Sequence, residues 1–177
     1  MKKKIVLAIL LTVLMACQQE KKLEYSQDFV EKNRVLYHLE EPYTGRVYQK
    51  YNDTLLRFDK QYKSGLLNGV SKKWYSNGVL AEFRVYQAGN KVKTHKGWWS
   101  NGNQKFIFTY NDEGVYHGNA KEWFENGQLY KDFNYTNGHE EGSQKMYLND
   151  GTYRANYVIK NGEKFGLIGS KGCDGLN

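Results

Sequence analysis

Four histidines, two cysteines and a scatter of carboxylates are the residues here whose types could do chemistry, and their spacing decides which chemistry is open. His117 and His139 stand in turn-like stretches, Tyr116-His117 and His139-Glu140-Glu141. Adjacent hairpins could therefore bring two imidazoles and a carboxylate together. A zinc site needs three or four converging ligands, and solvated turn residues are the simpler reading of this pair. Cys173 has no histidine near it in sequence to act as its base. No serine sits in a G-x-S-x-G elbow. Glu82, Glu122, Glu125, Asp132 and Glu140 are spread at the spacing of a repeat, so none is singled out as half of an acid–base pair. The glycines would need a strand–loop–helix setting to cradle phosphate, and no stretch has helical periodicity. The expectation is a non-enzyme with no metal and no cofactor.

The aromatic residues are the remaining candidate. Trp74-Tyr75, Trp98-Trp99 and Trp123-Phe124 recur in phase, with Tyr147 following. Neighbours along a strand point to opposite faces, so these pairs would form two ladders, one on each side of a sheet. Cross-strand packing within a ladder stabilises a sheet by about 0.2–1 kcal/mol per pair. A row left open would instead hold a sugar, a peptide or a partner sheet. Trp74, Tyr75, Trp98, Trp99, Trp123, Phe124 and Tyr147 thus form the candidate binding surface.

The elements that position these rings follow from an internal repeat. A glycine, three residues, a second glycine, four residues, an aromatic pair, one residue and Asn-Gly make up the unit Gly65 to Gly78. It returns as Gly114, Gly118, Trp123-Phe124 and Asn126-Gly127. It returns again as Gly138, Gly142, Met146-Tyr147 and Asp150-Gly151, with Met146 in place of the first aromatic. A partial copy has Gly89, Trp98-Trp99 and Asn101-Gly102, with Lys93 where the second glycine would stand. A degenerate first copy starts at Pro42-Tyr43-Thr44-Gly45 and carries Tyr51-Asn52-Asp53-Thr54 in place of an aromatic pair and Asn-Gly.

A period of 24–25 residues marks a repeat architecture. Asn77-Gly78, Asn101-Gly102, Asn126-Gly127 and Gly151 read as tight hairpin turns with positive φ. Gly65, Gly69, Gly114, Gly118, Gly138, Gly142, Gly162 and Gly166 read as the turns at the other end, needing positive φ or close backbone approach. Strands are expected over 70–75, 79–86, 104–110 and 128–135, after a lead-in strand from Phe29 to Glu41 that Pro42 ends. The fold expected is all-β: a single-layer, twisted antiparallel meander of ten or eleven strands, roughly 50 Å long at the usual strand spacing, with atypical end repeats.

Residues 1–17 read as a lipoprotein signal peptide. Lys2-Lys3-Lys4 precede an apolar run, Ile5 to Met15, too short to span a bilayer, and Leu14-Met15-Ala16-Cys17 resembles a lipobox. Cys17 would carry the lipid, and several acyl chains hold a protein firmly on a membrane. Residues 18–28 read as a spacer, 29–169 as the repeat domain and 170–177 as a flexible tail. Gln18, rather than aspartate, after the cysteine points to the outer membrane. The formal charge of +7 falls to +4 without the three leader lysines. The remaining basic residues are scattered along the chain, without the stripe a nucleic-acid protein would show.

The recurring glycine pair, aromatic pair and Asn-Gly at this period resemble the variant form of the MORN repeat, over roughly Tyr43 to Gly166. That resemblance implies an elongated sheet of consecutive hairpins. Many bacterial relatives in that family carry the label of antitoxin components, which a lipobox fits poorly. Taken together, the chain reads as a membrane-anchored, non-catalytic scaffold for a protein partner in the cell envelope. The alternatives are a carbohydrate- or peptidoglycan-binding module, and an antitoxin.

Overall fold

The computed structural model describes residues 20–167, and every regular element among them is a strand. These are β1 (Lys22–Glu24), β2 (Phe29–Lys32), β3 (Val35–His38), β4 (Glu41–Pro42), β5 (Gly45–Lys50), β6 (Leu56–Lys63), β7 (Leu66–Trp74) and β8 (Leu80–Gln87). There follow β9 (Asn90–Lys91), β10 (Lys93–Trp98), β11 (Gln104–Tyr110), β12 (Gly118–Trp123), β13 (Leu129–Thr136), β14 (His139–Tyr147), β15 (Tyr153–Lys160) and β16 (Glu163–Leu167). From β5 onward they pair in sequence order into one open antiparallel meander, with β9 a short branch on β8. The fold is thus the all-β succession of hairpins that the repeat implies. Cys17, Cys173 and the leader lie outside the described residues, as does the tail.

The two ends of the hairpins are built differently, and the tight two-residue turn read for Asn-Gly stands at the other end. In the meander the tight two-residue turns with both residues at positive φ are Ser64-Gly65, Ala88-Gly89, Asn137-Gly138 and Asn161-Gly162. At the Asn-Gly end the loop has three residues. Tyr75 N–H donates to Val79 O and Gly78 N–H to Tyr75 O, a turn in which Gly78 alone takes positive φ. Asn77 is free to use its side chain: Oδ1 accepts from Val79 N–H at 3.1 Å, and Nδ2 donates 2.8 Å to Ser100 O in the next repeat. Asn101 does the same toward Asn103 and Glu125. Asn126 binds Gln128 N–H and reaches Asn149.

This turn geometry also sets the frame of the last copy. Leu148 N–H donates to Thr152 O and Gly151 N–H to Leu148 O. The pair equivalent to Trp74-Tyr75 is therefore Tyr147-Leu148, one residue later than the Met146-Tyr147 read from sequence. Tyr51 N–H likewise donates to Leu55 O. The first copy closes the same loop with Asn52 Oδ1 accepting from Thr54 and Leu55 N–H.

Beside each Asn-Gly loop the pairing register skips one residue of the return strand: Arg57, Ala81, Lys105, Tyr130 and Arg154. Such a bulge bends the strand and re-aims a side chain. The second glycine marks a wider irregularity. Gln61 Oε1 accepts from Val70 N–H at 2.6 Å, and a Cβ on Gly69 would collide with that Gln61 side chain.

Two expectations at the N-terminus are corrected. Phe29 to Glu41 is not one strand but two turns and three short strands, because Asn33-Arg34 and Leu39-Glu40 take positive φ without a glycine to announce it. Pro42 lies within β4, at an edge position where its missing N–H is tolerated. Within the segment read as a spacer, Lys22–Glu24 pairs in parallel with β5 and covers that edge of the sheet. Lys22 and Arg46 both pair with the buried Asp59 there.

The small sheet β2–β4 folds over one end of the meander. Leu36 N–H donates to Gly65 O and Gly65 N–H to Tyr43 O, while Phe29, Leu36, Tyr43 and Val47 bury together against Leu23, Phe58 and Tyr62. A second cluster, Ala155, Tyr157 and Ile159 with Met146, closes the far end. Between them the sheet is held by single buried rings and ring ladders rather than by one continuous core.

Candidate functional site

Strand pairing places Phe58, Lys60 and Tyr62 of β6 level with Lys73 and Ser71 of β7 and with Glu82, Arg84 and Tyr86 of β8. β10 and β11 continue the row with His95, Gly97, Phe106 and Phe108. This face carries the deeply buried residues Val47, Ser71, His95, Phe106 and Gln144. Where β2–β4 overhang it, two adjoining hollows of about 640 and 570 Å³ open. They share Glu31, Lys60, Tyr62, Lys73 and Glu82, so they are two lobes of one groove.

The groove floor is an ion-pair row set among rings. Glu82 accepts both Arg84 nitrogens, at 2.9 and 3.1 Å, and Lys73 at 3.4 Å. Burial opposes ionisation of Glu82. The hydrogen bond and charge of Arg84, helped by Lys73, outweigh it and hold the carboxyl below its ordinary value. Arg84 also lies 5.2 Å over the Phe106 ring. That ring rests in the gap left by Gly97, where a Cβ would fall far inside van der Waals contact with it.

Lys60 rests 4.8 Å over Phe58 and has no ion-pair partner among the described residues. Burial first, then repulsion from Lys73, push its ammonium below the usual lysine value, against the pull of Glu31 and Glu82. Burial also raises the neighbouring Tyr62 hydroxyl.

His95 is wholly enclosed, between Tyr86 and Tyr110. Its Nε2 is 2.8 Å from Val85 O, and Nδ1 has no partner among the described residues. Burial lowers its basicity, with Arg84 and Lys91 adding to the effect, and because Val85 O can only accept, Nε2 carries a proton.

The basic residues that looked scattered along the sequence converge here. Arg34, Arg57, Lys60, Lys73, Arg84, Lys91 and Lys105 line the two lobes, against Glu31 and Glu82 alone. In the rest of residues 20–167, fifteen Lys and Arg meet sixteen Asp and Glu. The cationic excess of the described chain is therefore concentrated in this groove. The bulges contribute to it, since Arg57 and Lys105 occupy the skipped positions beside Phe58 and Phe106.

The candidate aromatic surface divides between two faces. Tyr75, Trp99 and Phe124 share the groove side, where Trp99 meets Lys105 at 4.1 Å and Phe124 meets Tyr130 at 4.9 Å. Trp74, Trp98, Trp123 and Tyr147 alternate to the reverse side. All seven are half-buried. The polar tips of the first column are already in use: Tyr51 Oη donates to Trp74 O, Tyr75 Oη to Trp98 O and Trp99 Nε1 to Trp123 O. Of the seven, only Trp74 and Tyr75 border the groove, and Tyr75 is the one on its face of the sheet.

His117 spends its Nδ1 on the turn at Asn137, 3.2 Å from that side chain. Among the described residues no three His, Cys, Asp or Glu side chains come together as metal ligands. Sequence reasoning missed Lys60, Arg84 and His95, because their signal is a shared sheet face rather than a local motif. Comparison with protein-family models and with characterised proteins finds no match to this chain.

Proposed function

We propose that this chain is a non-catalytic interaction scaffold, tethered to a cell-envelope membrane by lipid on Cys17, with the groove beneath β2–β4 as its working surface. The observation that carries the reading is the gathering of seven basic side chains around a ring-lined hollow whose own carboxylates number two. A groove of this size and composition is suited to binding. The leader and the lipobox-like Leu14-Met15-Ala16-Cys17 supply the tether, and the resemblance to MORN-repeat variants agrees with a scaffold.

The tether is tested by fatty-acid labelling and fractionation. Wild type labels and sediments with membranes, while Cys17→Ser does neither. A cytoplasmic pool of the unlabelled wild-type chain would instead favour the antitoxin reading. The working surface is tested by a photo-crosslinking residue at Tyr75, compared with one at Lys96 on the reverse face, in intact cells. A discrete adduct from position 75 alone supports the scaffold, and equal adducts or none reject it. Glycan binding remains the second reading, because Trp74 and Tyr75 stand half-buried at one end of the groove.

A further inference from the structure

The groove's lining says what kind of partner segment it takes, given the scaffold reading on which this rests. Sugar sites use amides and carboxylates to bind hydroxyls in pairs, over an open ring. Here the floor carboxylate, Glu82, is saturated by Arg84 and Lys73. Gln49 and Asn90 are the only amide side chains in the two lobes, one in each. The remaining lining sets cations among apolar and aromatic side chains: Leu36, Val47, Phe58 and Phe106 with four tyrosines in one lobe, Leu66 and Leu67 with two tyrosines in the other. A cation held among rings without a counter-ion is raised in energy until an anion arrives.

We propose that the groove docks an acidic peptide segment of a partner protein, with carboxylates on Lys60 and the rim cations Arg34, Arg57, Lys91 and Lys105, and apolar side chains against Phe58 and Phe106. Lys60 is the central anchor. It lines both lobes, rests on Phe58 and has no ion-pair partner among the described residues. Glu31 overhangs both lobes and repels the incoming acid, setting a threshold that weakly charged segments do not pass.

The test uses the full-length chain in detergent and a fluorescein-labelled peptide in which Glu alternates with Leu and Phe, read by anisotropy. The Glu peptide binds, and its Lys-for-Glu counterpart does not. Added salt weakens binding. Lys60→Glu weakens it by on the order of tenfold or more, as loss of a desolvated charge contact does. Glu31→Gln strengthens it, and Lys96→Glu on the reverse face leaves it unchanged. Lys60→Met keeps the stem over Phe58 and guards against misfolding. It too weakens binding while thermal unfolding stays cooperative.

Equal binding of the Lys peptide, indifference to both Lys60 variants, or stronger displacement by polygalacturonate or a single-stranded oligonucleotide overturns the proposal. If the Glu peptide fails while a crosslinker at Tyr75 still captures one discrete partner in cells, the peptide class is wrong and the scaffold stands. If both fail, both fall.

Discussion

The phenol of Tyr75 donates its hydrogen, at 3.0 Å, to the main-chain oxygen of Trp98, a residue one repeat further along. Tyr51 and Trp99 make the same bond onward to Trp74 and Trp123. A column that looked like a binding row on sequence grounds therefore also stitches successive hairpins. Tyr75→Phe removes only the hydroxyl and leaves the ring. The expected cost is about 0.5–1.5 kcal/mol, a fall in Tm of a few degrees for a chain this size. Calorimetry checks it. An unchanged Tm would mean that water replaces the bond without loss.

Asn101 both accepts from Asn103 N–H and donates to Glu125 O. Asn101→Asp retains the acceptor, loses the donor and sets a carboxylate against a carbonyl. A loss on the order of 1 kcal/mol is expected in chemical denaturation. The reciprocal change, Asp150→Asn, alters stability little, because Asp150 only accepts, from Thr152.

Lys93 holds φ at 63° where other copies place a glycine. Lys93→Gly releases the strain of a Cβ in that region and is expected to stabilise the protein by about 0.5–1 kcal/mol, the gain being reduced by glycine's own unfolded-state entropy. A higher denaturation midpoint at unchanged m-value is the readout. A loss would show that the Lys93 stem contributes packing.

Gly97→Ala works in the opposite direction. Its new methyl meets the Phe106 ring, which stacks on Phe108 and carries Arg84. Overpacking of this kind costs roughly 1–3 kcal/mol. The double variant Gly97→Ala with Phe106→Leu recovers part of that loss if the clash is the cause, and recovers none if the backbone at position 97 is the problem.

His95 gives a pH dependence of known sign. Its folded-state pKa is lowered by burial, with Arg84 and Lys91 adding to it and Tyr86 and Tyr110 facing the ring. The unfolded chain takes up a proton near pH 6.5 that the folded chain refuses. The stability it confers is therefore whole above that pH and is lost as pH falls toward the folded value. The slope is at most about 1.4 kcal/mol per pH unit for one proton. His95→Gln abolishes this component, and denaturation at a series of pH values between neutrality and pH 5 measures it.

The period was legible because its punctuation is backbone chemistry. Every glycine assigned to a turn takes positive φ, and such positions leave a mark in sequence. Turns built without glycine leave none, which is why Asn33-Arg34 and Leu39-Glu40 hid a three-stranded cap inside an apparent single strand. The groove was illegible for a different reason. Lys60, Lys73 and Arg84 are unremarkable in a line of residues and become neighbours only when pairing registers bring them to one face. The second task of the asparagines was hidden too, since the local turn already accounted for their presence.

Asp150 has one further consequence. A hairpin stack that advances by the same translation at each step has no geometric reason to stop, and Asn77, Asn101 and Asn126 each extend an amide toward the next unit like a growing lattice face. At the fourth such position the amide is exchanged for a carboxylate, which has nothing to donate. One atom's change from nitrogen to oxygen thus leaves this turn without the forward bond by which the three before it grip their neighbours.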